Sequence, residues 1–140
     1  MATKKRHSHF AKKFVQATYK RNGTDSAGVA NSTIAAHGLG IYLPLGAIIT
    51  NAFYDIPTTF TSATDAATIS FGVGSATDLK AATAISTGTT YDDVAACVAF
   101  TPVSAATAVK LAAEGELTAT VDVEALTAGE MVIFIEYFLP

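Results

Sequence analysis

The sequence has no tryptophan, one cysteine and three histidines, and only 15% of its 140 residues are charged. A single cysteine, Cys97, excludes an intramolecular disulfide and with it a small secreted fold stapled by bridges. Cys97 stands in the apolar run VAACVAF, the setting of a buried, inert thiol. The missing tryptophan and the scattered tyrosines, at 19, 42, 54, 91 and 137, leave no aromatic platform of the kind a sugar binder uses. Long hydrophobic runs are absent too. The longest uncharged stretch, Ser26–Tyr54, is broken by Asn31, His37, Pro44 and glycines 28, 38, 40 and 46, so no membrane span is read. The basic start is not followed by an apolar segment of signal-peptide type.

Catalytic and metal-binding patterns are equally sparse. His7 and His9 lie in a polar leader that would not hold them rigid, and two ligands do not close a tetrahedral site. His37 has no carboxylate or nucleophile beside it in sequence and reads as structural or solvent-facing. No G-x-S-x-G elbow appears, and GLGIYLPLG lacks the lysine and hydroxyl of a phosphate loop. Asp92-Asp93 reads as a solvated loop pair. The expectation is a protein that is not an enzyme and carries no cofactor, metal or small-molecule substrate.

Positive charge is nearly absent beyond residue 21. Lys4, Lys5, Arg6, Lys12, Lys13, Lys20 and Arg21 give residues 1–21 a charge of +7. Lys80 and Lys110 against twelve carboxylates give 2 − 12 = −10 for residues 22–140. A basic arm therefore precedes an acidic body. Three uses of the arm compete: docking on an acidic protein surface, a solubilising tail, or nucleic-acid binding with Phe10, Phe14 and Tyr19 beside the cations. The body's charge repels phosphate and weighs against the last.

What is abundant is small and β-branched: 27 Ala and 20 Thr. Length fits one domain, divided here into the arm, 1–21, which includes the start of the first strand, and a body, 22–140. With a mean hydropathy of +0.36 and charge well under the ~25% of soluble domains, part of the surface is expected to meet another chain. Alternation predicts strands at Phe14–Lys20, Val29–Ala36, Ala47–Ile56 (ended by Pro57), Ala67–Val73, Leu79–Ser86 and Val94–Thr101, with 79–86 also open to a helical turn because DLKAATA has helix propensity. HGLGIYLPLG and TGTTYDD read as connections. SATD recurs at 62–65 and 75–78, with Asp65 and Asp78 expected to make local turn bonds. Residues 104–114 fit either a short helix or a strand. Leu117–Glu124 has one dry and one wet face, LTAG reads as a turn, and Met131–Phe138 is apolar on both faces except at Glu136. Such a strand must be covered twice, by a second sheet or by a partner. The fold class is all-β: an antiparallel β-sandwich or jelly roll of about eight short strands with an extended N-terminal arm.

PLGAIITNAFYDIPTTFTSATDAATISFGV, DLKAATAIS and LTATVDVEALTAGEMVIFIEYF together resemble a group of small virion proteins of tailed bacteriophages. The similarity runs over residues ~43–138 and leaves the basic arm unmatched. It implies a structural protein of the capsid surface, a decoration or cement protein that trimerises on the outer shell and contacts the major capsid protein. Lys4, Lys5, Arg6, Phe10, Lys12, Lys13, Phe14, Lys20 and Arg21 would form the partner-binding arm. The alternative within a virus is a tail- or head-fibre module that contacts the host.

Overall fold

The structure is a computed structural model that describes residues 12–93, 98–99 and 108–139. It is an all-β sandwich, with no helix among the described residues. In chain order the strands are β1 (Lys13–Lys20), β2 (Ala35–Leu43), β3 (Ile48–Ser62), β4 (Thr68–Gly72), β5 (Lys80–Ala84), β6 (Val98–Ala99), β7 (Val109–Lys110), β8 (Gly115–Asp122) and β9 (Leu126–Phe138). One sheet has the order β1-β9-β3-β6, with β7 also on β3; the other runs β2-β8-β4-β5. The pairings are antiparallel.

The core forms where alternate residues of the two sheets meet. Met131, Ile133, Ile135 and Tyr137 of β9 face Leu117, Ala119 and Val121 of β8, Ile69 and Phe71 of β4, and Leu43 of β2. Aromatic rings run through this layer. Tyr19 stacks on Phe60 at 6.0 Å, Phe60 meets Tyr91 edge-on at 5.8 Å, and Tyr91 stacks on Tyr54 at 6.0 Å. The hydroxyls of these three tyrosines are hydrogen-bonded, as burial requires. Tyr19 donates to the Asn31 carbonyl, Tyr54 to Thr90 O at 3.1 Å and Tyr91 to Ile69 O at 2.9 Å. Burial raises the pKa of all three hydroxyls, that of Tyr54 to about 12. The tyrosines that look scattered in sequence are mostly core. Lys80, also buried, places its ammonium 5.9 Å from the Tyr54 ring and 5.7 Å from Tyr91.

Four boundaries differ from the sequence reading. The strand expected at 29–36 lies instead at Ala35–Leu43, across the predicted glycine-rich connection. Residues 25–34 are turns, organised by Asp25, whose Oδ1 accepts from Ala27 N (2.9 Å) and Val29 N (2.8 Å). Its Oδ2 lies 3.0 Å from His37 Nδ1, and His37 Nε2 lies 2.9 Å from Thr33 O. His37 is thus a fully buried structural residue whose partner stands twelve places earlier. The glycines are tolerated because the β2–β8 register shifts between Gly38 and Tyr42, with Gly40 at φ +72°; a bulge takes up the extra residues.

Pro57 does not end β3. The register with β9 shifts between Asp55 and Thr58, so the proline stands where the ladder is already broken and needs no donor. LTAG is the start of β9 rather than a turn, and Leu126 is buried. The chain reverses at 123–125 instead, where Val123 has φ +71° and is exposed, against its expected place on the dry face. Over 104–114, residues 104–107 lie outside the described residues, and the rest holds the two-residue strand β7. Only Val98–Ala99 of the strand expected at 94–101 is described, as β6.

The two SATD turns form as expected. Ser62 N donates to Asp65 Oδ1 at 3.3 Å; Val73, Gly74 and Ser75 N–H groups converge on Asp78 at 2.9, 2.8 and 3.0 Å. The first turn also holds the Glu124 carboxylate, which accepts from the Ser62 hydroxyl, Thr64 N (3.0 Å) and Thr64 Oγ1 (3.1 Å). These bonds, the Ser62 hydroxyl first, hold Glu124 below its ordinary value of 4.5. Asp25 is lowered likewise, first by the Val29 N–H.

A lowered carboxylate contributes stability that is whole above its ordinary value and is lost as the pH falls through its folded value. Glu124→Gln should therefore lower Tm near neutral pH and flatten its fall between about pH 6 and about pH 3, converging with wild type at the acid end. Gly129, at φ +134° inside β9, would set an added Cβ 2.1 Å from Phe60 Cδ1. Gly129→Ala should cost about 1–3 kcal/mol in denaturant unfolding.

Candidate docking face

The outer face of the first sheet is apolar at its centre. β9 sends Glu130, Val132, Phe134, Glu136 and Phe138 outward because their neighbours fill the core. The register aligns Gln16 of β1, Phe134 of β9 and Phe53 of β3. Phe53 and Phe134 stack with centroids 4.9 Å apart and planes 17° apart. Beside them Phe14 is 71% exposed. A shallow groove of about 210 Å³ runs between these rings, lined also by Val15, Gln16, Ile135 and Glu136.

Two ion pairs frame this face, and Asp55 of β3, opposite Val132, adds a carboxylate to it. Lys12 Nζ lies 3.2 Å from Glu136 Oε1 and 6.0 Å from the Phe138 ring centre. Thr50 Oγ1 donates to the same carboxylate at 3.0 Å. At the other end of β1, Lys20 Nζ lies 3.1 Å from Glu130. Arg21 Nε donates to Leu126 O at 3.0 Å, which satisfies the guanidinium without cancelling its charge. The exposed pairs are worth only about 0–1 kcal/mol each, and their main effect is to remove net charge from the rim.

The outer face of the second sheet is different. β8 points Glu116, Thr118, Thr120 and Asp122 away from the core, next to Gly38, Gly40 and Tyr42 of β2. Desolvation works to raise Glu116, but hydrogen bonds from Ser26, the Gly40 N–H (2.8 Å) and Tyr42 outweigh it and keep the carboxyl low. The body is thus dry and aromatic on one outer face, and wet, threonine-rich and acidic on the other.

The sequence-predicted arm residues divide. Lys12, Lys13, Phe14, Lys20 and Arg21 lie along β1 and its ends, in the body's own sheet; Lys4, Lys5, Arg6 and Phe10 lie outside the described residues. Residues 13–20 pair along their whole length with β9, and Tyr19 is wholly buried. Phe53, Phe134 and Glu130 were not singled out from sequence, and Glu136 stood out there only as the polar exception in β9. The signal for Phe134 was present in the double-faced apolarity of Met131–Phe138; that for Phe53 appears only with the register. No group of three or more metal-ligating side chains occurs among the described residues. No helix is long and apolar enough to cross a membrane.

No protein-family model and no curated protein matches this sequence. Solved structures do match in fold. A chain of the cyanophage Pam1 capsid asymmetric unit superposes with a TM-score of 0.66 at 20% identity, covering 100% of this chain and 93% of that one. A chain of the acid-stable capsid structure of the Helicobacter pylori bacteriophage KHP30 superposes with a TM-score of 0.53 at 17% identity, covering 95% and 91%. Two phage capsids contain this fold. At these identities the likeness is one of architecture, and it extends over nearly the whole of each chain.

The position of Phe14 makes its contribution to the lone fold small. Phe14→Ser should change unfolding free energy by less than about 0.5 kcal/mol, whereas Tyr19→Ala, five residues along the same strand, should cost about 3–5 kcal/mol. Urea melts of the two variants check both.

Proposed function

We propose that this chain is a structural protein of a bacteriophage virion: a capsid decoration, or cement, protein that sits on the outer shell as a trimer and grips the major capsid protein. The observation that carries the reading is the end-to-end likeness of fold to chains of two phage capsids. The two unlike outer faces support it. An aromatic face with two of its rim lysines paired suits burial against protein, and a threonine- and acid-rich face suits water. The role is structural and non-catalytic.

The grip has two parts in this reading. The aromatic face with Phe14, Phe53 and Phe134 supplies apolar contact. The leader, whose Lys4, Lys5, Arg6 and Phe10 precede β1 in sequence, seeks acidic protein surface. Complementary charge sets orientation and on-rate more than affinity. Trimerisation brings three leaders together, so weak single contacts add to a firm clamp. The acidic body disfavours a nucleic-acid role for the leader.

The test is co-sedimentation with mature capsids that lack the protein. The truncation must stop at residue 11, because removing 1–21 would delete β1 and Tyr19 from the core. The full chain should pellet with capsids, and the chain lacking residues 1–11 should pellet at least tenfold more weakly with an unchanged circular-dichroism spectrum. Equal pelleting would remove the leader from the mechanism. Failure of both to pellet, with binding to host cells instead, would favour a fibre module.

A further inference from the structure

β1 is the terminal strand of its sheet, with β9 on one side and, among the described residues, no strand on the other. Antiparallel partners exchange backbone bonds only at alternate residues. Arg21 N donates to Gly129 O at 2.9 Å, just beyond the last rung of the β1–β9 ladder, which makes the odd-numbered residues of β1 the bonded ones. Phe14, Gln16, Thr18 and Lys20 therefore turn their N–H and C=O groups away from β9. The Lys20 carbonyl is taken, accepting from Gly23 N at 3.0 Å and from Asn31 Nδ2 at 2.9 Å. The other three residues are exposed, and their backbone groups have no hydrogen-bond partner among the described residues. The edge is also regular. Its register with β9 runs from Lys13 to Lys20 without a shift, and neither proline nor glycine interrupts it. Such devices usually blunt an edge; this one carries lysines only at its ends.

We propose that this edge takes an added strand: an extended segment of another protein, with carboxylates at its two ends and apolar side chains between them. The proposal rests on the capsid-protein reading and says how the grip on the neighbouring protein is made. Three free N–H and three free C=O groups call for a backbone, which strand addition supplies. Charge sets the chemistry of the ends. Lys12, Lys13, Lys20 and Arg21 flank the edge, against Glu136 and Glu130, which pair with Lys12 and Lys20. The balance is 4 − 2 = +2, and Lys13 and Arg21 have no carboxylate within ion-pair distance among the described residues. The neighbouring edge of the second sheet does not supply one. Asp25 is held by His37 and by the Ala27 and Val29 N–H groups, and Glu116 by the Gly40 N–H. The middle of the added strand is apolar because its outward side chains stand beside Phe14, 71% exposed, at the margin of the Phe53–Phe134 groove. A second copy fits less well. Antiparallel self-pairing centred on Gln16 would set Lys12 of one copy opposite Lys20 of the other, and like charges directly opposite are destabilising.

Amide hydrogen exchange of the full chain, read by nuclear magnetic resonance, tests the edge. In the free protein the Phe14, Gln16 and Thr18 amides should exchange fast, and those of Val15, Ala17 and Tyr19 slowly. The probe is a synthetic peptide as long as β1, alternating valine and threonine between terminal glutamates. At millimolar concentration it should slow exchange at the three edge amides by about twofold or more, as half-occupancy gives. The same peptide with lysine in place of each glutamate should leave them unchanged. Gln16→Pro removes an N–H that β9 does not use, so it should keep the circular-dichroism spectrum and abolish the protection. Gln16→Ala keeps that N–H and should keep the protection. Thr18→Pro repeats the test should position 16 not tolerate the ring. Slow exchange of the three amides in the free chain, whether from self-pairing or from its own leader, would overturn the proposal. So would no protection by the glutamate peptide, or equal protection by both peptides. Pelleting with capsids is scored separately. The proline variants should pellet at least about tenfold more weakly than Gln16→Ala. Equal pelleting would overturn the proposal and leave the capsid reading standing. Failure of the wild type to pellet, with the glutamate peptide still protecting the edge amides, would sink that reading and leave the edge site standing.

Discussion

The seating of β1 on β9 is the constraint on which the rest of this structure depends. Eight residues of a basic leader pair with the one strand that is apolar on both faces. Tyr19 anchors the seat through its ring against Phe60 and its hydroxyl on the Asn31 carbonyl. Asn31 returns the bond by donating from Nδ2 to Lys20 O at 2.9 Å. This small exchange joins β1 to the turn that leads into β2, and so ties the edges of the two sheets together. It also puts β9 in the middle of its sheet, between β1 and β3, where its outward aromatic residues form a platform rather than an edge.

Electrostatics follow from that seating. A leader of +7 beside a body of −10 looks like two separate units in the sequence. In the fold, Lys12 and Lys20 are matched by Glu136 and Glu130 across the β1–β9 ladder. The boundary of the basic segment thus lies inside the sandwich, and among the described residues Lys13 and Arg21 have no carboxylate within ion-pair distance. Two of the lysines bordering the aromatic platform are thereby paired, while Asp55 of β3 keeps a carboxylate beside Phe53.

The strands were legible wherever one face was dry and the other wet. Leu117, Ala119 and Val121 announced β8, and Phe14–Lys20 announced β1 almost to the residue. Legibility failed where long-range contacts overrode local rules. The glycines at 38 and 40 and Pro57 signal breaks, yet each stands at a register shift that a neighbouring strand accommodates. Asp25 and His37 look unrelated because only the fold brings them to 3.0 Å. Of the candidate site, the basic residues and Phe14 were readable from composition. The Phe53–Phe134 stack was not, because pairing of β3 with β9 is what places one ring on the other.

The direction of β1 has a mechanical consequence. β1 begins at Lys13, and the eight rungs that join it to β9 lie across the direction of the strand. Tension applied along β1 would load those rungs in shear, together rather than one by one, so a pull in that direction meets the stiffest axis of the sandwich.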